Sequence, residues 1–247
     1  MISIRNLYKS FGNHRVLEDI SLDIEKGETT VVIGQSGVGK SVLIKHIMGL
    51  LKPDRGAIFV DGDDITKYDN KQMKEYLQRF GILFQNAALF DSMSVGENVG
   101  FPLREHTNLS DKEIRARVAE KLQVVGLAGI EDMLPSELSG GMRKRVGLAR
   151  AIALDPEIMI FDEPTTGLDP VMSDAIDNLV IETQERLNLT NVVISHDIAG
   201  TFKIAHKVAM LYDCRLIEVG TPEEFRNSPN PVVQQFLARK AEGPIKI

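Results

Sequence analysis

Eight consecutive residues, Gly34-Gln35-Ser36-Gly37-Val38-Gly39-Lys40-Ser41, fit the pattern G-x-x-x-x-G-K-[ST] and follow the apolar run Thr30-Val31-Val32-Ile33 directly. Glycines at 34, 37 and 39 let the backbone turn tightly, so that the N–H groups of the stretch, those of Gln35, Ser36 and Val38 included, aim at one point. Lys40 adds a positive charge, and Ser41 a hydroxyl able to ligate Mg²⁺. Val42, Leu43, Ile44, Ile47 and Met48 recur at helical spacing, which places the loop at a helix N-terminus, where the dipole favours anions. A nucleoside triphosphate is the ligand this chemistry fits. The bland alternative, a glycine-rich turn with no ligand, leaves the flanking strand and helix patterns without a purpose.

Three further apolar runs each end on polar chemistry: residues 80–84 before Gln85, 158–161 before Asp162-Glu163, and 192–195 before His196. In open parallel sheets ligands bind outside the carboxyl ends of the strands. Lys40, Gln85, Asp162, Glu163 and His196 are therefore expected to gather at one phosphate.

The elements that must hold these groups can be read on either side. Residues 2–24 alternate apolar and polar positions about a turn at Gly12-Asn13, and 57–60 followed by Asp61-Gly62 repeats the strand-and-turn signal. An antiparallel layer is predicted there. Phe11, beside the turn, is either a stacking surface for a base or an aromatic of the core. A short helix is predicted over 71–79. From Gln85 to Pro156 the pattern turns helical, with Ile114, Val118, Leu122 and Val125 marking a helix over 112–125. After Leu134-Pro135 comes Ser139-Gly140-Gly141-Met142, then a predicted helix over 143–154 whose first turn is basic. Positive charge at that end opposes the dipole and points either to a nearby anion or to a solvated basic face. Helices are predicted over 174–187, 222–226 and 231–240, and a hairpin over 208–212 and 216–219.

Composition excludes several classes. The 247 residues carry a formal net charge of −6, which argues against a broad nucleic-acid-binding face. One cysteine, Cys214, cannot form an intrachain disulfide, and no secretory leader opens the sequence, so a reducing cytoplasm is expected. The sequence has no run of eighteen apolar residues, and a membrane role has to come through a partner.

The order of these features, from the phosphate loop through Gln85, Leu138-Ser139-Gly140-Gly141-Met142, Asp162-Glu163 and Gly167-Leu168-Asp169 to His196, resembles the ATP-binding subunit of ABC transporters over residues 2–236. The resemblance implies an α/β P-loop NTPase fold, with a RecA-like core, an antiparallel β subdomain and an inserted α-helical subdomain. It divides the chain into 1–85 with 157–220 as core, 86–156 as helical subdomain and 221–247 as a C-terminal extension. It implies ATP and Mg²⁺ as cofactors and assigns Phe11 to the adenine. Ser41, Gln85 and, through water, Asp162 go to Mg²⁺, Glu163 is the general base, and His196 bonds the γ-phosphate. Ser139, Gly140, Gly141 and Asp169 would serve the site of a second copy in a homodimer docked on a transmembrane permease at the cytoplasmic face of the inner membrane.

Met142 stands where the family usually has glutamine, and Gly167 where it has another small residue. With its neighbours, Met142 is most similar to ATPases of the Mla type, which move phospholipids across the bacterial envelope. That resemblance implies an MCE-type lipid-binding protein and a small STAS-domain protein as further partners, and a tail from about residue 221 that reaches across the dimer. An amino-acid or other small-solute importer ATPase shares nearly all these motifs. A soluble ABC ATPase acting on DNA or ribosomes usually adds a coiled-coil insertion or a second cassette, and neither is present. A P-loop kinase would leave Ser139 and His196 unexplained.

Overall fold

A computed structural model describes residues 1–245. The expected 221–247 extension therefore ends, at Lys246 and Ile247, outside the described residues. Dense contacts divide the chain into two compact units, Met1–Leu77 with Thr190–Ile247, and Gln78–Leu189. In chain order the first unit opens with β1 (Ile2–Phe11), β2 (His14–Ile24), β3 (Thr29–Ile33), α1 (Lys40–Ile47), β4 (Arg55–Val60), β5 (Asp63–Asp64) and α2 (Asn70–Leu77). The second unit holds β6 (Phe80–Leu83), α3 (Val95–His106), α4 (Asp111–Val124), α5 (Gly140–Ala151), β7 (Ile158–Asp162) and α6 (Pro170–Leu187). The first unit then resumes with β8 (Thr190–Ser195), α7 (Ile198–Ile204), β9 (Lys207–Tyr212), β10 (Arg215–Gly220), α8 (Pro222–Arg226) and α9 (Pro231–Leu237).

The alternation read in residues 2–24 becomes an antiparallel sheet in the order β2-β1-β4-β5. Ile2 lies opposite Ile24 on one side and Val60 on the other, and Ile4 opposite Leu22 and Ile58, so that one face is an isoleucine-rich core. The expected turn falls at Gly12-Asn13, between β1 and β2. In the same unit β3 runs parallel to both β8 and β9, and β9 pairs antiparallel with β10, the predicted hairpin. Every residue of β3 and β8 is buried, as a strand covered on both faces requires.

The second unit builds a parallel β6–β7 pair, four α-helices and a short 3-10 helix at Pro135–Glu137. α3 and α4 each begin with a capping box, Ser94 with Glu97 and Ser110 with Glu113, and bury Val95, Val99 and Leu103 and Ile114, Val118 and Leu122 respectively. Asn98, fully buried on α3, accepts the Phe90 N–H at 2.8 Å and donates to the Phe90, Met93 and Ser94 carbonyls, fixing the loop before the helix. α5 and α6 begin earlier than predicted, at Gly140 and Pro170, because Ser139 and Asp169 cap them. α9 stops at Leu237, short of the predicted 240, and Arg239 just beyond it turns left-handed with φ 52°.

The chain beyond α9 is held by Gln235, with further contacts from the Tyr212 hydroxyl to the Pro244 carbonyl and from Arg239 to Asp197, both at 3.4 Å. Gln235, 7% exposed, accepts the Ile245 N–H at 2.6 Å and donates to the carbonyls of Lys240, Ala241 and Ile245 at 3.2–3.4 Å. Residues 240–245 thereby fold onto their own unit, where Ile245 is buried. Replacing the amide strands a buried N–H, at a cost of about 1–3 kcal/mol. Gln235→Ala is expected to lower the melting temperature by roughly 3–10 °C for a chain of this size, and to open 240–245 to proteases. Calorimetry and limited proteolysis check both outcomes.

Candidate active site

In the first unit the sheet register sets the positions of the phosphate loop and the histidine. Ile33 ends β3 directly beside Ser195, the last residue of β8, so Gly34 and His196 leave neighbouring parallel strands at the same end. Gly34 has φ 149°, and a Cβ there would lie 2.3 Å from the Leu211 carbonyl oxygen, which excludes any side chain. Gly39, with φ 110°, would bring a Cβ within 2.9 Å of a Val16 methyl carbon and stands at the N-cap of α1. It contributes no capping side chain, and the first turn of α1 holds no acid, so the leading N–H groups and the dipole are directed to an anion. Lys40 is 6% exposed and arches over the loop, its ammonium donating to the Gly34 and Gln35 carbonyls at 2.7 Å each. The charge is thus stationed over its own loop, next to the exposed hydroxyl-bearing Ser41.

His196 is exposed, and its neighbours on both sides are anchored. The Ser195 hydroxyl accepts the Asp197 N–H at 3.0 Å, and the Asp197 carboxylate caps α7 through the Ala199 and Gly200 N–H groups. Phe11 sits at the β1–β2 turn, half exposed, with the Lys9 ammonium 5.5 Å from its ring centroid. Lys9 is held by the Lys52 carbonyl and by Asp54, both at 2.9 Å. The hydrogen bond from Lys9, followed by that from the Ser10 N–H, keeps the Asp54 carboxyl below its ordinary value. One face of the Phe11 ring therefore carries a fixed cation, which leaves the other for stacking.

In the second unit β6 and β7 are also parallel and in register, Leu83 beside Phe161, so Gln85 and Asp162 follow from the same end of two adjacent strands. Glu163 adopts φ 50°, a left-handed conformation costing a non-glycine residue about 1–2 kcal/mol. A tight turn holds it there. Its carbonyl accepts the Thr166 N–H at 3.2 Å, and its carboxylate accepts the Thr166 hydroxyl at 3.0 Å. The Ser139 hydroxyl caps α5 through the Met142 N–H at 3.2 Å, and Asp169 caps α6 through Val171 and Met172 at 3.0 Å. Those two helix starts meet, since a Cβ on Gly140 would touch Leu168 and one on Gly141 would lie 2.0 Å from the Met172 methyl carbon. Gln85, Gly140, Arg143, Lys144, Thr166 and Gly167 line one cleft.

Within each unit the candidate residues are thus brought together: the loop 34–41 with His196, and Gln85 with Asp162, Glu163, the start of α5 and Asp169. The residues missed by the sequence reading are Thr166, which aims Glu163, and the cations of α5. The basic turn expected to face an anion or solvent also bonds to backbone oxygen, with Arg143 exposed and Lys144 buried. Arg143 donates to the Leu138 carbonyl at 2.7 Å, Arg145 to that of Val125 at 3.1 Å, and Lys144 to that of Gln85. Burial pushes the Lys144 ammonium below its ordinary value, and the nearby Glu163 charge partly offsets this. The Thr166 signal, a hydroxyl three residues after an acid, and the buried face of 143–154 were both present in the sequence.

Ser41 offers a hydroxyl, Gln85 an amide oxygen and Asp162 a carboxylate, each a hard-oxygen donor of the kind Mg²⁺ takes. Among the described residues no group of three or more His, Cys, Asp or Glu is placed to cage a metal.

A family model described as ABC transporter matches residues 17–166. The chain belongs to the ABC transporter family. As an ABC ATPase it has the expected α/β P-loop NTPase fold and hydrolyses ATP. Its likeness to Mla-type proteins is borne out as well. It is 43% identical over 246 residues to the intermembrane phospholipid transport system ATP-binding protein MlaF of Haemophilus influenzae, covering 100% of this chain and 93% of that one. It is 46% identical over 244 residues to the probable ribonucleotide transport ATP-binding protein mkl of Mycobacterium leprae, covering 99% of this chain and 70% of that one. Among solved structures, the dimeric post-hydrolysis state of the ATP-binding cassette MJ0796 bound to ADP and Pi superposes with a TM-score of 0.80 at 29% identity, covering 90% of this ABC ATPase and 99% of that chain.

Removing the Lys40 ammonium should cost one charge-assisted contact to phosphate, about 1.5–3 kcal/mol, or roughly 10- to 150-fold in affinity. Lys40→Met is expected to weaken ATP by that factor in calorimetric titration and to leave AMP binding, which lacks the β- and γ-phosphates, little changed.

Proposed function

We propose that this ABC ATPase powers the movement of phospholipids across the bacterial envelope. The observation that carries the reading is the 43% identity to MlaF along 93% of that protein's length. The likeness to mkl, whose name assigns it to ribonucleotide transport, favours a second reading, a nucleotide carrier, but extends over only 70% of that relative.

In this reading residues 1–85 and 157–220 form the nucleotide core, 86–156 the helical subdomain that meets the permease, and 221–247 an extension. Phe11 stacks on adenine, residues 34–41 cradle the phosphates, and Ser41, Gln85 and, through water, Asp162 would hold Mg²⁺. Mg²⁺ when bound neutralises charge on the β- and γ-phosphates. Lys40 adds to that neutralisation, and His196 donates to a γ-phosphate oxygen. Glu163 accepts a proton from water as the water oxygen bonds to the γ-phosphorus in line with the breaking bond to the β–γ bridging oxygen, which leaves ADP and phosphate. The left-handed turn and the Thr166 hydrogen bond aim that carboxylate before substrate arrives.

Ser139, Gly140, Gly141 and Asp169 belong, in the same reading, to the site of a second copy, and the dimeric state of the MJ0796 cassette supports a homodimer here. No described helix is long and apolar enough to cross a membrane. The motor is therefore read as peripheral, seated on a transmembrane permease at the cytoplasmic face of the inner membrane, with an MCE-type lipid-binding protein and a STAS-domain protein as further subunits and no nucleic acid.

Glu163→Gln is expected to bind ATP as the parent does while hydrolysis falls by roughly 10²- to 10⁴-fold, and to persist as an ATP-bound dimer in size-exclusion chromatography. An unchanged rate removes Glu163 from the role of base. The cargo is tested by capturing the tagged chain from native membranes. Phospholipid and an MCE-type protein are expected with the permease, whereas an amino-acid or nucleotide permease would defeat the lipid reading.

A further inference from the structure

α5 does more than present Ser139. Its buried side carries two cations, and the contacts of both go to the loop that follows Gln85. Lys144, 5% exposed, donates its ammonium proton to the Gln85 carbonyl. Arg150 donates to the Ala87 carbonyl at 2.7 Å and the Ala88 carbonyl at 2.8 Å, and its guanidinium carbon lies 5.9 Å from the Phe90 ring centroid. Among the described residues neither cation has a carboxylate in ion-pair contact. Lys144 is buried and Arg150 half-buried; a cation drawn out of water without a counter-ion is tolerated only where oriented dipoles replace that water, so each group demands a carbonyl in a fixed place.

The loop supplies those carbonyls at a conformational cost. Ala87 and Ala88 both lie in the left-handed region, with φ 58° and 48°, and Ala87 is buried. Two successive non-glycine residues there do not persist without outside restraint. Helix and loop also touch without an intervening side chain, because a Cβ on Gly147 would come within 2.9 Å of both the Ala87 Cβ and a Leu83 methyl carbon.

We propose that Lys144 and Arg150 are positioning residues that clamp the backbone of residues 85–88 to α5, so that the Gln85 side chain and the Ser139-Gly140-Gly141 helix end move as one body. The proposal rests on the reading of Gln85 as a residue of the hydrolytic site. Its consequence is that whatever displaces the Gln85 loop also displaces the helix end offered to the second copy, with no separate linkage required.

Hydrogen–deuterium exchange on the full chain tests the clamp directly. In Arg150→Met and in Lys144→Met the amides of 85–90 are expected to exchange about tenfold faster than in the parent, while those of α5 keep their protection. Arg150→Met is expected to lower kcat by roughly 10²-fold with ATP affinity nearly unchanged, and Arg150→Lys to recover part of the loss. Combined with Gln85→Ala, Arg150→Met should add little to the loss already caused by Gln85→Ala, because both act through one side chain. Unchanged loop exchange in both variants overturns the clamp, and so does a double variant whose loss is the product of the single losses. If Gln85→Ala alone keeps parental kcat while Arg150→Met loosens the loop, the reading of Gln85 fails and the clamp stands. Should Arg150→Met not fold, Arg150→Lys and Lys144→Met carry the same measurements.

Discussion

Strands buried on both faces have no room for polar side chains except at their ends, and much of this molecule follows from that restriction. All of β3 and β8 and the first four residues of β7 are buried. Ionisable and hydrogen-bonding groups are pushed beyond the strands, to the loop after Ile33, to Asp162-Glu163 and to His196. Because β3 pairs with β8, and β6 with β7, in parallel and in register, those groups leave from matching ends within each unit. Proximity of residues far apart in the chain is a by-product of hydrogen-bond register.

Close backbone approach is the second constraint. Gly34 against the Leu211 carbonyl and Gly147 against Ala87 are positions where a single methyl group would push apart pieces of chain that must touch. In the phosphate loop the approach fixes the turn over which Lys40 arches. On α5 it lets a helix lie directly on a loop, so that two cations of modest reach hold three carbonyls. Rigidity at both places comes from backbone contact, and the charged side chains complete it.

Much of this was legible in the sequence, because the signals were local. The glycine loop, the Gly12-Asn13 turn and the polar residues ending apolar runs are patterns within a few positions, and the structure keeps each. The expected start of α5 falls late because the helix was counted from the basic residues at 143–145, whereas Ser139, four positions before Arg143, is the cap. The destinations of Lys144 and Arg150 were not legible at all. Each bonds to a carbonyl some sixty positions away, 59 for Lys144 and 63 and 62 for Arg150, and backbone acceptors leave no mark on residue types. The fold-back of 240–245 is hidden for the same reason, since Gln235 is one amide among helix residues whose partners lie outside the helix. Tertiary hydrogen bonds to main chain are the part of a structure that a pattern of side chains records least.

The backbone at Glu163 carries a different cost. A residue held at φ 50° by a turn would be more comfortable as glycine or asparagine, which visit that region easily. Selection for heat resistance alone would therefore tend to discard this carboxylate, and, with Glu163 as the proposed base, a sturdier chain obtained that way would be a silent engine. At this residue the tension between durability and work lies in one torsion angle.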